Sequence, residues 1–404
     1  MSDEGSGAAE GLWGAVVGQP AATRILRRAV AAGEVPHAWL LVGPASVGQR
    51  QAAEALAADL NCPDSEPHAC GRCSTCRRIA EGRHPASIHL EPEGAWHVVE
   101  AVREEWIATA TRTLAEGRRR VLRIVAADRM NEGAQNAFLK VLEEPPASVV
   151  WVLEAEDDSA LLDTVVSRCR RVDFVPWAPS ALEARAEALG VPAGRRADLV
   201  RAAMGSPERL EMLAGELAAH DEDANGQLGR DRHLDIVRRL AEEGPGIAVP
   251  LAKELVGWAA RQQQLAKAAH QEELARLEES FAESWPPGVK GRIQKRFERL
   301  EREARHAALR ALLDDLASWL RDLLAVHSGL DADAAVNADH ADALRRDVRV
   351  VPPSVALDGL QGISECAEAL EANGQPELQL ERLLLRLGVG IYRVTDPSMA
   401  GQPR

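Results

Sequence analysis

Aromatic side chains are scarce, with one Tyr and four Phe in 404 residues and nine Trp in partial compensation. That scarcity argues against a single-strand-binding platform, where successive bases need successive rings. Positive charge is also in deficit. A formal net charge of −14 excludes a chain that coats nucleic acid by itself, because phosphate binding depends on clustered Lys and Arg, although a local basic face remains open. No apolar run is long enough to span a bilayer. The start, MSDEGSGAAEG, lacks a basic stretch followed by an apolar core, so it reads as a frayed tail over residues 1–11 rather than a secretory signal, and a cytoplasmic protein is expected.

What is present suits a soluble globular protein, with 46% hydrophobic and 27% charged residues. A single core usually stops growing near about 250 residues, so two or three domains are expected. AWLLVG at 38–43 is a short apolar run ending on Gly, and GPASVGQR then leads into the helix-periodic QAAEALAADL. VLRIVAA at 121–127 is a second strand, followed by a helix from Asn131 to Glu144 that Pro145 and Pro146 stop. SVVWVLEA is a third strand. Strands alternating with helices predict a parallel α/β sheet covered on both faces over 12–176. Beyond VDFVPWAP the Leu and Ala residues recur at helical spacing, predicting a small helical domain over 177–222 and a second, all-α domain over 223–404, with a polar join near 220–231. A long helical run from Gly288 to Val326 carries an apolar stripe of Ile293, Phe297, Leu300, Ala304 and Ala307. The stripe fits intramolecular packing or an interface with other chains equally well.

Gly43 to Arg50 has the frame of a phosphate-binding loop between a strand and a helix. Such a loop needs a Lys for the β and γ oxygens and a Ser or Thr for magnesium. Here Gly43 and Gly48 are kept, but those two positions hold Gln49 and Arg50. An amide supplies no positive charge and a guanidinium coordinates no cation, so productive binding of ATP and Mg2+ is not expected. An ordinary glycine turn is the plainer reading. The second strand ends on Val125, Ala126 and Ala127 where an ATPase would place an acidic pair. Asp128 is either a displaced acid of that kind or a cap of the loop or helix that follows.

Of six cysteines, Cys62, Cys70, Cys73 and Cys76 fall within fifteen residues. The spacing C-x7-C-x2-C-x2-C offers four thiolates, the closed tetrahedral shell of structural Zn2+. His68 or His84 as a further ligand, and an iron–sulfur cluster, are the alternatives, with both histidines expected on the surface. Arg118, Arg119 and Arg120 precede the second strand and either contact DNA phosphate or form a solvated strand entry.

The segments GQPAATRILRRAV at 18–30, PHAWLLVGP at 36–44, ADRMNEGAQNAFLKVLEEPP at 127–146 and SRC at 167–169 resemble the bacterial DNA polymerase III clamp-loader ATPase subunits. The resemblance is strong over 12–176 and extends to the remainder only in pattern and length. It implies an AAA+ P-loop-type domain, a helical lid at 177–222 and a collar at 223–404 that joins five subunits in a ring. The family also carries a four-cysteine module after the phosphate-loop helix, here at 62–76. Gln49, Arg50, Ala126 and Ala127 place the chain with the degenerate delta-prime branch, actinobacterial in type, rather than with the gamma or tau motor. The partners implied are gamma/tau and delta subunits in a hetero-pentameric ring, and through them the sliding clamp and primer-template DNA, at the replisome on the nucleoid. The SRC arginine of this family reaches into the neighbouring subunit's nucleotide site. In this sequence it is Arg168, with Ser167 and Cys169 positioning the turn. A planar, permanently charged fork suits charge that develops during phosphoryl transfer. Glu143 and Glu144 are expected to close their helix, and Arg209, one place away from the family's second sensing arginine, is assigned no role. The competing functions are an ATP-hydrolysing motor in which Arg50 or another base replaces the lysine, and a free-standing zinc-containing adaptor for DNA repair.

Overall fold

The computed structural model describes residues 11–64, 68–92, 96–220, 229–280 and 289–395. The expected tail up to residue 10, most of the polar join (221–228) and the Pro286–Pro287 break lie outside the described residues. By contacts the chain divides into two units, one running to Ala214 and the other starting at Gly215.

The first unit is built on five parallel strands, β1 (Ala38–Val42), β2 (Ser87–Leu90), β3 (Arg120–Ile124), β4 (Val149–Ala155) and β5 (Arg170–Asp173), in the order β2-β3-β4-β1-β5. Their connections are α1 (Pro20–Ala31) ahead of β1, then α2 (Gln49–Asn61), α3 (Ser74–Ala80), a π-helical turn Ala101–Trp106 running into α4 (Ile107–Thr111), α5 (Glu132–Glu143) and α6 (Asp163–Val166). After β5 come α7 (Pro179–Ala188), α8 (Ala193–Ala202) and α9 (Pro207–His220), the last crossing the division between units.

The central strands read as unbroken apolar runs because both faces of the sheet are covered. Trp39, Leu41, Val121, Val150 and Val152 pack against α1 and α2. The alternate residues Leu40, Leu122, Trp151 and Leu153 face Trp106, Phe138 and Val165. On that second face Trp106, Phe138 and Trp151 meet edge to face at centroid separations of 5.7 and 4.9 Å, the geometry the ring quadrupoles favour. Two strands went unread in the sequence. β2, SIHL, has only four residues, and β5, RRVD, is a charged edge strand paired with β1 alone.

The second unit is helical: α10 (Gly229–Leu234), α11 (Ile236–Glu243), α12 (Ala248–Ser280), α13 (Val289–His327), α14 (Ala341–Asp347), α15 (Pro353–Glu371) and α16 (Pro376–Thr395). Its core gathers Leu, Ile, Val and Ala from all of these around Trp258 and Trp319. The long apolar stripe is used within the chain at Phe297, whose ring stacks on His270 of α12 at 4.4 Å. Among the described residues no helix is long and apolar enough to cross a membrane.

One buried acid makes this unit pH-sensitive. Asp347 is 2% exposed and accepts from Trp319 Nε1 at 3.2 Å, and burial pushes its carboxyl up to about 6. Its folded-state value is raised, so the folded chain binds this proton more tightly than the unfolded chain does. That contribution is full below the ordinary aspartate value and is lost as pH rises through 6. In urea melts of the full chain, stability between about pH 4 and 7 should fall on the order of 2 kcal/mol further in wild type than in Asp347→Asn. Parallel pH profiles would contradict this.

Candidate functional site: a self-bonded phosphate loop and an arginine turn

Residues 43–48 form the loop between β1 and α2, at the carboxyl ends of the parallel strands, where α/β sheets bind ligands. Gly43 is required by close approach, since a Cβ there would lie 2.2 Å from the Phe174 carbonyl oxygen. Gly48, at φ 132°, occupies backbone space that side chains disfavour. The frame of a phosphate loop is therefore present, but its interior belongs to Gln49. The Gln49 side chain is buried, its Oε1 accepts from Val47 N–H at 3.1 Å, and its Nε2 donates to the carbonyls of Gly43 at 3.2 Å and Pro44 at 2.7 Å. A backbone N–H that would face phosphate is spent on the chain's own amide.

The outer side of the loop is held as firmly. The Val47 carbonyl accepts from Gln19 Nε2 at 3.1 Å and Trp177 Nε1 at 2.9 Å. Gln19, 2% exposed, also exchanges hydrogen bonds with the Val175 backbone, 2.7 Å to its carbonyl and 3.0 Å from its N–H. Arg50 points outward to Glu54 at 3.3 Å, on the surface of α2. Beside the loop, Arg123 of β3 and Glu154 of β4 form an ion pair at 2.7 Å. Burial pushes the Glu154 and Glu54 carboxyls up, against the pull of Arg123 and Arg50.

Asp128 does not cap the helix that follows it. Its Oδ2 accepts from Glu156 N–H at 3.1 Å, tying the end of β3 to the end of β4, and burial pushes its carboxyl up. The cap of α5 is Asn131, whose side chain accepts from Ala134 N–H at 2.8 Å. Asn at that position satisfies an otherwise orphan helix donor.

Arg168 lies in the short turn between α6 and β5. Its Nη1 donates to the Thr164 carbonyl at 2.9 Å and its Nη2 to Glu143 Oε1 at 2.8 Å, with about a third of the side chain exposed. The last residue of α5 thus grips the arginine of a turn 25 residues further on. The Ser167 hydroxyl donates to the Thr164 carbonyl at 3.3 Å. Cys169 packs on the core under the second sheet face, and burial pushes its thiol up to about 12, so it is not a reactive thiolate. Arg209 is buried, its Nε donating to the Ala202 carbonyl at 2.6 Å within the helices after the sheet.

The four cysteines sit where α2 ends. All four Sγ atoms lie within 4.8 Å of one another, with Cys62 to Cys73 at 4.0 Å and Cys70 to Cys76 at 3.9 Å. Knuckle bonds from Cys73 N–H to Cys70 Sγ at 3.4 Å and from Cys76 N–H to Cys73 Sγ at 3.3 Å point the sulfurs inward. Burial pushes the Cys70 and Cys76 thiols up. His68 is outside this cluster. His84 is buried rather than on the surface, its Nδ1 accepting from Ala86 N–H at 3.1 Å and its Nε2 lying 3.4 Å from Glu116. Of the arginine triplet, Arg120 opens β3, is buried and donates to the Arg112 carbonyl at 2.8 Å, so it is withdrawn from any phosphate. Arg118 donates to the Cys62 carbonyl at 2.7 Å.

Residues 18–178 match the family profile described as DNA polymerase III, delta subunit. Residues 299–388 match the profile described as DNA polymerase III, delta subunit, C terminal. In these two segments the chain is similar to the DNA polymerase III delta-subunit family. It is similar to the DNA polymerase III subunit delta' of Pseudomonas aeruginosa, 39% identical over 185 residues, which cover 45% of this chain and 56% of that protein. The corresponding subunit of Bacillus subtilis is 33% identical over 170 residues, covering 41% and 50%. The chain thus spans about half the length of these relatives. It is also similar to the DNA polymerase III subunit gamma/tau of Mycobacterium bovis, 30% identical over 220 residues, covering 51% of this chain and 38% of that protein. The delta-family match takes in the whole loop, the cysteine cluster and the arginine turn.

The buried amide of Gln49 holds three loop groups at once, so its loss leaves Val47 N–H without an acceptor. Gln49→Ala should destabilise the chain by about 1–3 kcal/mol, read from the midpoint of urea unfolding. An unchanged midpoint would show that the loop does not depend on this side chain.

Proposed function

We propose that the chain is a delta-prime-type subunit of the DNA polymerase III clamp loader, an AAA+-fold protein that turns over no ATP and supplies Arg168 to the nucleotide site of a neighbouring subunit. The observation that carries this is the Gln49 amide, bonded into the loop that would otherwise cradle phosphate. Its setting in a delta-family sequence supports the same reading. The motor alternative asks Arg50 to replace the missing lysine, yet Arg50 faces away from the loop toward Glu54. An adaptor for DNA repair has no observation in its favour.

In this reading the partners are gamma/tau and delta subunits in a hetero-pentameric ring, and the ring loads the sliding clamp on primer-template DNA. Residues 177–222 act as lid and 223–404 as collar. Exposed Leu378, Leu385, Val389 and Tyr392 form a stripe along α16, with Leu357 of α15 also exposed, and such a stripe suits packing against other subunits. The bonds of Arg168 to the Thr164 carbonyl and to Glu143 fix its planar fork on the turn. In the ring it would meet the negative charge that develops on the neighbour's γ-phosphate. Ser167 and Cys169 set the turn from which it projects.

Cys62, Cys70, Cys73 and Cys76 fit a structural Zn2+. Four thiolates at about 2.3 Å from the ion stand about 3.8 Å apart at the edges of a tetrahedron, close to the 3.9 and 4.0 Å separations of two cysteine pairs. A bound zinc would supply structural cross-linking of the segment after α2, with no open position for catalysis.

Two experiments test these assignments. In a loader reconstituted with gamma/tau and delta, Arg168→Ala should assemble normally and lower clamp- and DNA-stimulated ATP turnover by about tenfold. Wild-type turnover in an assembled variant complex would sink the trans-arginine assignment. Metal analysis of the full chain should find zinc equimolar with protein and retained through gel filtration. Cys73→Ser should lose the zinc and lower the melting temperature, whereas iron with visible absorbance, or no metal in wild type, would rule the zinc site out.

A further inference from the structure

An open groove beside α1 plays no part in nucleotide chemistry. It encloses about 1490 Å3 between α1, the end of α2 and residues 118–119. Arg24, Arg27 and Arg28 line it from one face of α1, and Arg119 lines it from the entry to β3. Among the described residues these four guanidinium groups have no hydrogen-bond or ion-pair contact. Arginines elsewhere, such as Arg78, Arg185 and Arg386, are matched with carboxylates. A chain with 62 acidic residues and a net charge of −14 has thus set four guanidinium charges around one concavity with a single carboxylate, Asp59, felt by Arg27 through space, an excess of like charge that a further anion would relieve.

The floor supplies two further constraints. It is apolar at Val30 and Leu60, both only half-buried. It also holds Asp59, 6% exposed. Trp13 Nε1 donates to Asp59 Oδ2 at 3.0 Å, while Oδ1 has no hydrogen bond among the described residues, His68 Nδ1 standing 3.9 Å away. Asp59 is thus held within the wall of the groove rather than offered to a ligand.

We propose that this groove binds an acidic peptide segment of a partner protein, one that interleaves carboxylates with apolar side chains. The carboxylates would face the arginines and the apolar side chains would cover Val30 and Leu60. A phosphodiester backbone fits less well. It brings no apolar side chain to cover Val30 and Leu60, and Trp13, the groove's tryptophan, is 3% exposed and offers no face for a base.

The test is fluorescence anisotropy of a short fluorescein-labelled peptide alternating Asp with Leu, titrated with the full chain. Comparison probes are a Lys–Leu peptide and an Asp–Gly peptide, with oligothymidylate as competitor. The Asp–Leu peptide should bind saturably and more tightly than either comparison peptide, weaken as salt is added, and resist displacement by oligothymidylate. The double variant Arg24→Glu, Arg28→Glu should melt at the wild-type temperature and bind at least about tenfold more weakly. Both positions are exposed, so the fold is not at stake. The proposal is overturned by absent saturable binding, by equal binding of the Asp–Gly peptide or of the charge-reversed chain, or by oligothymidylate competing as well as the unlabelled peptide.

Discussion

The Gln49 amide is the contact on which the functional part of this molecule depends. Its three hydrogen bonds run to Val47, Gly43 and Pro44, all in the loop that precedes it. An ammonium at that position would project as a donor and leave Val47 N–H pointing into the cradle. The amide carries both a donor and an acceptor, so it satisfies carbonyls and an N–H together and leaves the loop neutral and closed. Because Gln19 and Trp177 grip the Val47 carbonyl from the other side, the closed loop also ties α1 to the segment after β5. The loop thus serves as a joint.

This joint sits on a sheet with little freedom to shift. Both faces of β1, β3 and β4 are buried under apolar side chains, and a slip of one residue would exchange every contact between the two faces. The rigid sheet fixes where its loops end, and so fixes the relation between α5 and the turn that carries Arg168. Glu143 closes α5 and its carboxylate holds Arg168, so a helix terminus and the arginine of a turn share one ion pair. Exposed pairs of this kind contribute little stability. Their use here is orientation.

Much of this was legible in the sequence, for physical reasons that also explain the rest. The β1 and β4 runs announce themselves because strands buried on both faces must be apolar throughout. β2 and β5 escape notice since a four-residue strand gives no period, and a charged edge strand such as RRVD resembles a loop. On β5, Arg170 is accommodated by lying over the Trp39 ring at 5.5 Å, a long-range contact that no local pattern reports. The absent lysine at Gln49 was visible, but the inward turn of its amide was not, because that depends on loop torsions. The four-cysteine cluster followed from spacing alone. Asp128 and His84 were misjudged for one reason. Each meets a group distant in sequence, the Glu156 N–H for one and Glu116 for the other. The arginines of α1 recur at helical spacing in ILRRAV and its approach, yet only the fold brings Asp59, Leu60 and Arg119 to face them.

Binding of Mg-ATP to the isolated full-length chain, followed by isothermal titration calorimetry, bears most directly on the closed loop. The hydrogen bonds of Gln49 predict no saturable heat at millimolar nucleotide, in wild type and equally after Arg50→Ala. Saturable micromolar binding would contradict them, since it requires Gln49 to leave the loop and the backbone amides to turn to phosphate, as they do in a working ATPase.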